Sequence, residues 1–94
     1  MEMSYTDENI DGERFRCPCC GYYTLSSDPE YEICPVCFWE YDKIQVADPD
    51  YAGGANELSL KESRENYLKY GACEERFIPN VRKALLEELP YEDQ

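Results

Sequence analysis

The feature that most constrains this chain is a pair of cysteine motifs, Cys17-x-x-Cys20 and Cys34-x-x-Cys37, separated by thirteen residues. A C-x-x-C turn lets two sulfurs converge on one metal ion while nearby backbone N–H groups point back at them. Two such turns supply four thiolates, enough for a closed tetrahedral site. Because two motifs at this spacing are far more specific than one, the sequence predicts that Cys17, Cys20, Cys34 and Cys37 together bind one metal ion.

The residue types narrow the choice of metal. The chain contains no histidine, so cysteine and carboxylate are the available ligands. Tetrahedral thiolate sites accept both zinc and iron, and zinc is favoured because it has no redox requirement and is the usual occupant. We therefore expect one Zn²⁺ per chain, with iron as the alternative. A metal-free interpretation with two disulfides, Cys17–Cys20 and Cys34–Cys37, also stays open.

A bound metal would supply stability that packing alone cannot. A chain of 94 residues forms one small domain, and nine of its apolar residues are tyrosines, whose hydroxyl groups need water or a partner. Structural zinc contributes roughly 10–16 kcal/mol of apparent binding energy, against a net stability of about 5–15 kcal/mol for a typical domain. We therefore expect folding to depend on the metal.

The composition divides the chain into a single metal-stapled domain and two short ends. Residues 1–12 are predicted to be a flexible acidic N-terminus and residues 91–94 a tail. The domain covers residues 13–90, with the β and zinc-knuckle part at 14–46 and a loop and helices at 47–90.

The fold class that follows is α+β: a small zinc-ribbon-like antiparallel β unit followed by two short helices. Short runs of β-forming residues alternate with turn residues up to Tyr41, and Trp39 is the expected core anchor. Ser59-x-x-Glu62 has the form of a capping box, and Gly71 is placed to end that helix. The second helix is predicted from about Pro79 to Leu89.

The charge of the chain restricts its partners. The formal net charge is -12, which opposes nucleic-acid binding and favours a basic protein partner. No stretch of 18 or more apolar residues is present, so we expect no membrane-spanning segment. The acidic N-terminus lacks the basic and apolar regions of a secretory signal, and clustered cysteines in a reducing compartment favour metal binding, so the predicted location is cytoplasmic.

Four segments of the sequence resemble the bacterial cysteine-rich CPCC family, over about residues 14–78. They are Cys-Pro-Cys-Cys-Gly at 17–21, Ile-Cys-Pro-Val-Cys-Phe-Trp-Glu at 33–40, Asp-Pro-Asp-Tyr-x-Gly-Gly-Ala-Asn at 48–56 and Asn-Tyr-x-x-x-Gly-Ala at 66–72. The resemblance implies a small cytoplasmic bacterial protein and brings no activity with it.

Two cysteines lie outside the predicted ligand set. Cys19 completes the motif of the family and is interpreted as a bystander, although a reactive thiol or a replacement ligand are alternatives. Cys73 precedes Glu74 and Glu75, whose negative charge disfavours a thiolate, so we expect it to be inert.

The function predicted from these features is a non-enzymatic protein-interaction module, such as an immunity protein that neutralises a basic toxin. The alternative is a redox protein, either a rubredoxin-like iron electron carrier or a cysteine-based thiol sensor. Hydrolysis is disfavoured because a closed four-sulfur site leaves no open position for water.

Overall fold

The computed structural model describes residues 14–26 and 29–90. The predictions of a flexible N-terminus at 1–12 and a tail at 91–94 lie outside the described residues. The elements of regular structure are strands β1 (Phe15–Arg16) and β2 (Tyr23–Leu25), helices α1 (Lys43–Ala47) and α2 (Leu60–Tyr70), and 3₁₀ helices at Glu75–Asn80 and Leu86–Glu88. The predicted α+β class, with a small zinc-ribbon-like β unit, is confirmed.

The β unit consists of two short antiparallel arms, each of which carries one cysteine motif. Strands β1 and β2 pair with an irregular register and flank the first motif. The second arm is held by an isolated bridge between Ile33 and Glu40 and by hydrogen bonds that link Tyr31 and Glu32 to Tyr41. Both arms therefore present their cysteines at a turn.

Helix α2 begins and ends where the sequence predicted. The Ser59 hydroxyl accepts a hydrogen bond from the Glu62 N–H, and the Glu62 carboxylate accepts one from the Ser59 N–H, which completes the capping box. Gly71 follows the helix in the left-handed conformation, with φ of 79°.

Helix α1 was not predicted. Its N-cap is Asp42, whose carboxylate accepts a hydrogen bond of 2.9 Å from the Ile44 N–H. Gln45 within the helix is fully buried, and its amide nitrogen donates to the backbone oxygens of Tyr51, Asn56 and Leu58. A five-residue helix containing Ile44 and Val46 has little intrinsic propensity, so these tertiary hydrogen bonds rather than local sequence stabilise it.

The predicted helix from Pro79 to Leu89 is wrong. Pro79 lies inside the first 3₁₀ helix, and the backbone from Val81 to Leu85 is irregular. The Arg82 N–H donates to the Pro35 carbonyl at 3.2 Å, and the Leu85 N–H donates to the Glu88 carboxylate at 2.8 Å. These partners replace the carbonyls four residues earlier that an α-helix would use.

The core surrounds the cysteines. Trp39 and Leu60 are fully buried and Leu25 is 1% exposed, which agrees with the prediction that Trp39 is the anchor. These side chains belong to one cluster with Val36 and five of the cysteines. Among the described residues, no helix is both long and apolar enough to cross a membrane.

Candidate metal centre

The first knuckle, residues 17–22, is a tight turn closed by two backbone hydrogen bonds. The Gly21 N–H donates to the Cys17 carbonyl and the Cys17 N–H donates to the Tyr22 carbonyl, both at 2.8 Å. Gly21 has φ of 87°, a conformation that glycine adopts without steric cost. The turn places Cys17 and Cys20 on the same side of the backbone, facing the other arm.

The second knuckle, residues 34–39, repeats this arrangement. The Phe38 N–H donates to the Cys34 carbonyl at 2.8 Å, and the Cys34 N–H donates to the Trp39 carbonyl at 3.0 Å. Phe38 takes the position of the glycine and has φ of 71°. The two motifs thus form the same local structure in two places.

The four predicted ligands come together between the knuckles. The Sγ atoms of Cys17 and Cys37 are 3.6 Å apart, those of Cys20 and Cys34 are 3.7 Å apart, and all four lie within 4.8 Å of one another. In a tetrahedral site with metal–sulfur distances of about 2.3 Å, the sulfurs are about 3.8 Å apart. The spacing and the donor set therefore fit a single tetrahedral metal ion.

Two close sulfur contacts run between the knuckles. Cys17 lies against Cys37, and Cys20 against Cys34, at nearly twice the length of a disulfide bond of about 2.0 Å. All six cysteines are free thiols, so the alternative with two disulfides within the motifs is not what the structure contains.

Hydrogen-bond donors converge on the sulfur of Cys34. The Thr24 hydroxyl lies 3.0 Å from this atom, and the Val36 N–H lies 3.4 Å away. Donors of this kind orient a ligating sulfur and stabilise its negative charge. Thr24 is not among the predicted site residues, because nothing in the local sequence indicates that β2 lies across the second knuckle.

The electrostatics of the cluster favour the thiolate of Cys34 and oppose those of Cys20 and Cys37. Hydrogen bonds with Cys17 and then with Cys20 lower the pKa of the Cys34 thiol below its ordinary value. Contact with Cys17 raises the pKa values of Cys20 and Cys37 instead. A cation bound among the sulfurs would reverse this opposition, because metal binding drives thiols to release their protons.

The two remaining cysteines lie in the core beside the four-sulfur group. Cys19 is 8% exposed and Cys73 1% exposed, and neither belongs to the group of sulfurs within 4.8 Å of one another. Burial, followed by the charges of Cys19 and Glu74, raises the pKa of the Cys73 thiol to about 12. The expected cause, the neighbouring glutamates, is therefore secondary to burial.

The fold and this site define a small α+β protein built on two cysteine knuckles that share one possible metal site. A comparison with protein-family models matches the family described as cysteine-rich CPCC over residues 15–88, and the chain belongs to that family. A comparison with curated proteins finds no match.

Proposed function

We propose that this protein is a non-enzymatic zinc-binding module that binds a basic protein partner. The observation that carries the zinc assignment is the spacing of the four sulfurs, 3.6 and 3.7 Å for the two close pairs, which suits a thiolate-ligated tetrahedral ion. Zinc is preferred over other soft-ligand metals because it holds this geometry without redox chemistry.

The role of the zinc is structural. The two motifs are separated by thirteen residues in sequence, and the sulfur pairs at 3.6 and 3.7 Å each join one knuckle to the other. One ion at this point ties the two arms of the β unit together, where the strands themselves are only two and three residues long. Sheets this short have little stability of their own.

The binding role follows from the closed site and the charge. Four sulfur ligands fill a tetrahedral ion and leave no position for a substrate or an activated water. The net charge of -12 steers association toward basic proteins. An immunity protein that neutralises a basic toxin is one function of this kind.

Metal content tests the zinc assignment. In protein purified without added metal, elemental analysis is expected to find about one zinc per chain, and a thiol reagent at most two reactive thiols before unfolding. Cys73→Ser is the matched control, because it removes a buried cysteine outside the group and should keep the zinc. Protein that folds without metal, or that carries oxidised cysteines, contradicts the proposal.

The partner class is tested by capture on the immobilised holoprotein. Captured proteins are expected to be more basic than the average of the extract, and their yield should fall steeply as salt is raised, because screening weakens attraction between separated charges. Capture that is independent of salt contradicts a partner selected by charge.

A rubredoxin-like iron carrier is the second candidate. It is favoured by the half-buried position of Cys20, which brings one ligand near the surface, and by the donors around Cys34, which tune the potential of an iron–sulfur site. Visible absorption of the air-oxidised protein distinguishes the two, because a ferric thiolate site is coloured and a zinc thiolate site is colourless.

A further inference from the structure

A second surface feature lies away from the sulfurs, in a cleft of about 270 Å³ between the second knuckle, the loop before α2 and the first 3₁₀ helix. Its aromatic lining is Phe38 and Phe77, whose ring centroids are 4.7 Å apart. Ile33, 44% exposed, extends this apolar surface. We call this feature the aromatic cleft.

Acidic side chains outnumber basic ones in the aromatic cleft. Glu40, Glu57 and Glu74 line it, and Arg76 is the single cation among its lining residues. Within the described part of the chain, the carboxylate of Glu40 pairs with no cation, and that of Glu57 pairs only with Arg76 at 3.5 Å. The cleft therefore combines an apolar surface with excess negative charge.

Arg76 shows which chemistry this lining accommodates. Its guanidinium carbon lies 4.5 Å from the centre of the Phe77 ring, and its Nε donates to the Glu74 carboxylate at 2.7 Å. An aromatic face beside a carboxylate is the environment in which an arginine side chain gains both stacking and charged hydrogen bonds. Phe38 and Glu40 supply a second aromatic ring and a second carboxylate in the cleft. Among the described residues, no cation forms a salt bridge with the Glu40 carboxylate.

The backbone around Glu40 is held in place. The Asn56 side chain accepts a hydrogen bond from the Glu40 N–H at 2.9 Å and donates one to the Glu40 carbonyl at 2.7 Å. Asn56 is itself 8% exposed and bonds to the buried Gln45. A fixed rim lowers the conformational cost of binding.

We propose that the aromatic cleft binds an arginine side chain of a basic protein partner, with the guanidinium against Phe38 and between the carboxylates of Glu40 and Glu57. This inference rests on the proposed function, which it deepens by giving the partner a docking site and a residue type.

The test uses the zinc-loaded full chain and an acetylated, amidated tetra-arginine peptide as the probe. Amide chemical shifts in ¹⁵N NMR spectra are expected to change at Phe38, Glu40, Glu57 and Phe77 more than elsewhere. The double variant Glu40→Gln with Glu57→Gln should weaken peptide binding at least about fivefold, since it removes both carboxylates that face the guanidinium. Its control, Asp50→Asn with Glu65→Gln, removes the same charge from exposed positions outside the cleft.

A second variant is expected to act in the opposite direction. Arg76→Gln removes the competing cation and should strengthen peptide binding about threefold, whereas Lys61→Gln, an equal charge change on α2, should change it by less than about twofold. Folded spectra and zinc content verify each variant.

Three results overturn the cleft assignment: shifts spread evenly over the acidic surface, equal losses in the double variant and its control, or the same shifts produced by raising the protein concentration without peptide. The last would assign the cleft to a second copy of the chain. In each case the salt-dependent capture of basic proteins on the holoprotein reports separately on the proposed function, because the net charge of -12 can select a basic partner whether or not the cleft binds an arginine.

Discussion

The two knuckles have the same backbone hydrogen bonds and different residues at the turn. In each, the N–H of the residue after the second cysteine donates to the carbonyl of the first cysteine at 2.8 Å. Gly21 fills that position in the first knuckle and Phe38 in the second, with φ of 87° and 71°. The left-handed conformation costs a non-glycine residue roughly 1–2 kcal/mol, so the second knuckle retains the turn at a cost. The contact between Phe38 and Phe77 offsets part of that cost.

The knuckles also differ in how they join the rest of the molecule. The first receives the Arg64 guanidinium, which donates to the Pro18 carbonyl from an exposed position. The second receives backbone donors, because the Arg82 N–H bonds to the Pro35 carbonyl and the Cys73 N–H to the Cys37 carbonyl. We infer that the second knuckle is the fixed part of the site and the first the adjustable part.

Replacing one ligand in each knuckle gives the largest expected effect. Cys34 is fully buried, so in Cys34→Ser no solvent water can complete the coordination, and we expect loss of zinc and of the cooperative thermal transition. Cys20 is half-buried, so Cys20→Ser should keep part of its zinc with a lowered Tm. Zinc content and circular dichroism measure both variants, and equal losses would show that the knuckles contribute alike.

The Thr24 hydroxyl on β2 connects the two arms through the sulfur of Cys34. Removing this hydroxyl should cause the next largest effect, a loss of zinc affinity. Thr24→Val keeps the shape of the side chain but removes the donor 3.0 Å from Cys34 Sγ. Loss of a group that orients a ligand typically lowers metal affinity about 10–100-fold. Competition with a chelator measures the affinity, and Thr24→Ser, which keeps the hydroxyl, is the control. The idea fails if the serine and valine variants bind zinc equally.

The features that could be predicted from the sequence are those whose partners lie nearby in the chain. The knuckles and the capped helix α2 depend on residues within five positions of one another, such as Ser59 and Glu62, so their patterns are visible locally. Helix α1 and the irregular segment after Asn80 depend on distant partners. Gln45 binds the loop up to Leu58, and Arg82 bonds to Pro35, and no local pattern indicates either contact. The spacing of the cysteines predicted the four sulfurs as a set. The contact of the Thr24 hydroxyl with the Cys34 sulfur became visible only in the folded structure.

Substitutions at the two turn positions separate backbone strain from packing. Gly21→Ala should cost about 1–2 kcal/mol, because its Cβ meets only Arg16 Nε at 4.0 Å and the backbone conformation is the main penalty. At Phe38 both replacements lose the contact with Phe77, so Phe38→Ala and Phe38→Gly should both be less stable than the natural protein. The Phe38→Gly variant should nevertheless be about 1 kcal/mol more stable than Phe38→Ala, because glycine adopts a positive φ without strain. At most other positions alanine is the more stabilising of the two residues.

Denaturant unfolding at a fixed zinc concentration measures these differences, because bound zinc itself shifts the apparent stability. An alanine variant at position 38 that is as stable as the glycine variant would mean that Phe38 adopts its positive φ without strain.

The smallest predicted effect concerns the segment that braces the second knuckle. Glu88 is 4% exposed, and its carboxylate accepts hydrogen bonds from both terminal nitrogens of Arg82 and from the Leu85 N–H. Burial opposes ionisation of this carboxyl group, but the bonds from Arg82 and Leu85, with a weaker contribution from Arg14, outweigh it and lower its pKa. A pKa below the unfolded value of about 4.3 means that the ionised form stabilises the fold above that pH.

Glu88→Gln should therefore lower stability by about 1 kcal/mol at neutral pH, the range of a single charged hydrogen-bonding group beside a half-exposed arginine. The difference from the natural protein should stay constant above about pH 5 and shrink as pH falls through the folded pKa of Glu88. Protonation of the thiolates also releases metal in acid, but it affects both proteins, so the difference between their unfolding free energies isolates Glu88. If that difference is independent of pH, the Glu88 carboxylate acts through its shape and not its charge. The hydrogen bond from the Arg82 N–H to the Pro35 carbonyl would then brace the second knuckle without help from the ion pair between Arg82 and Glu88.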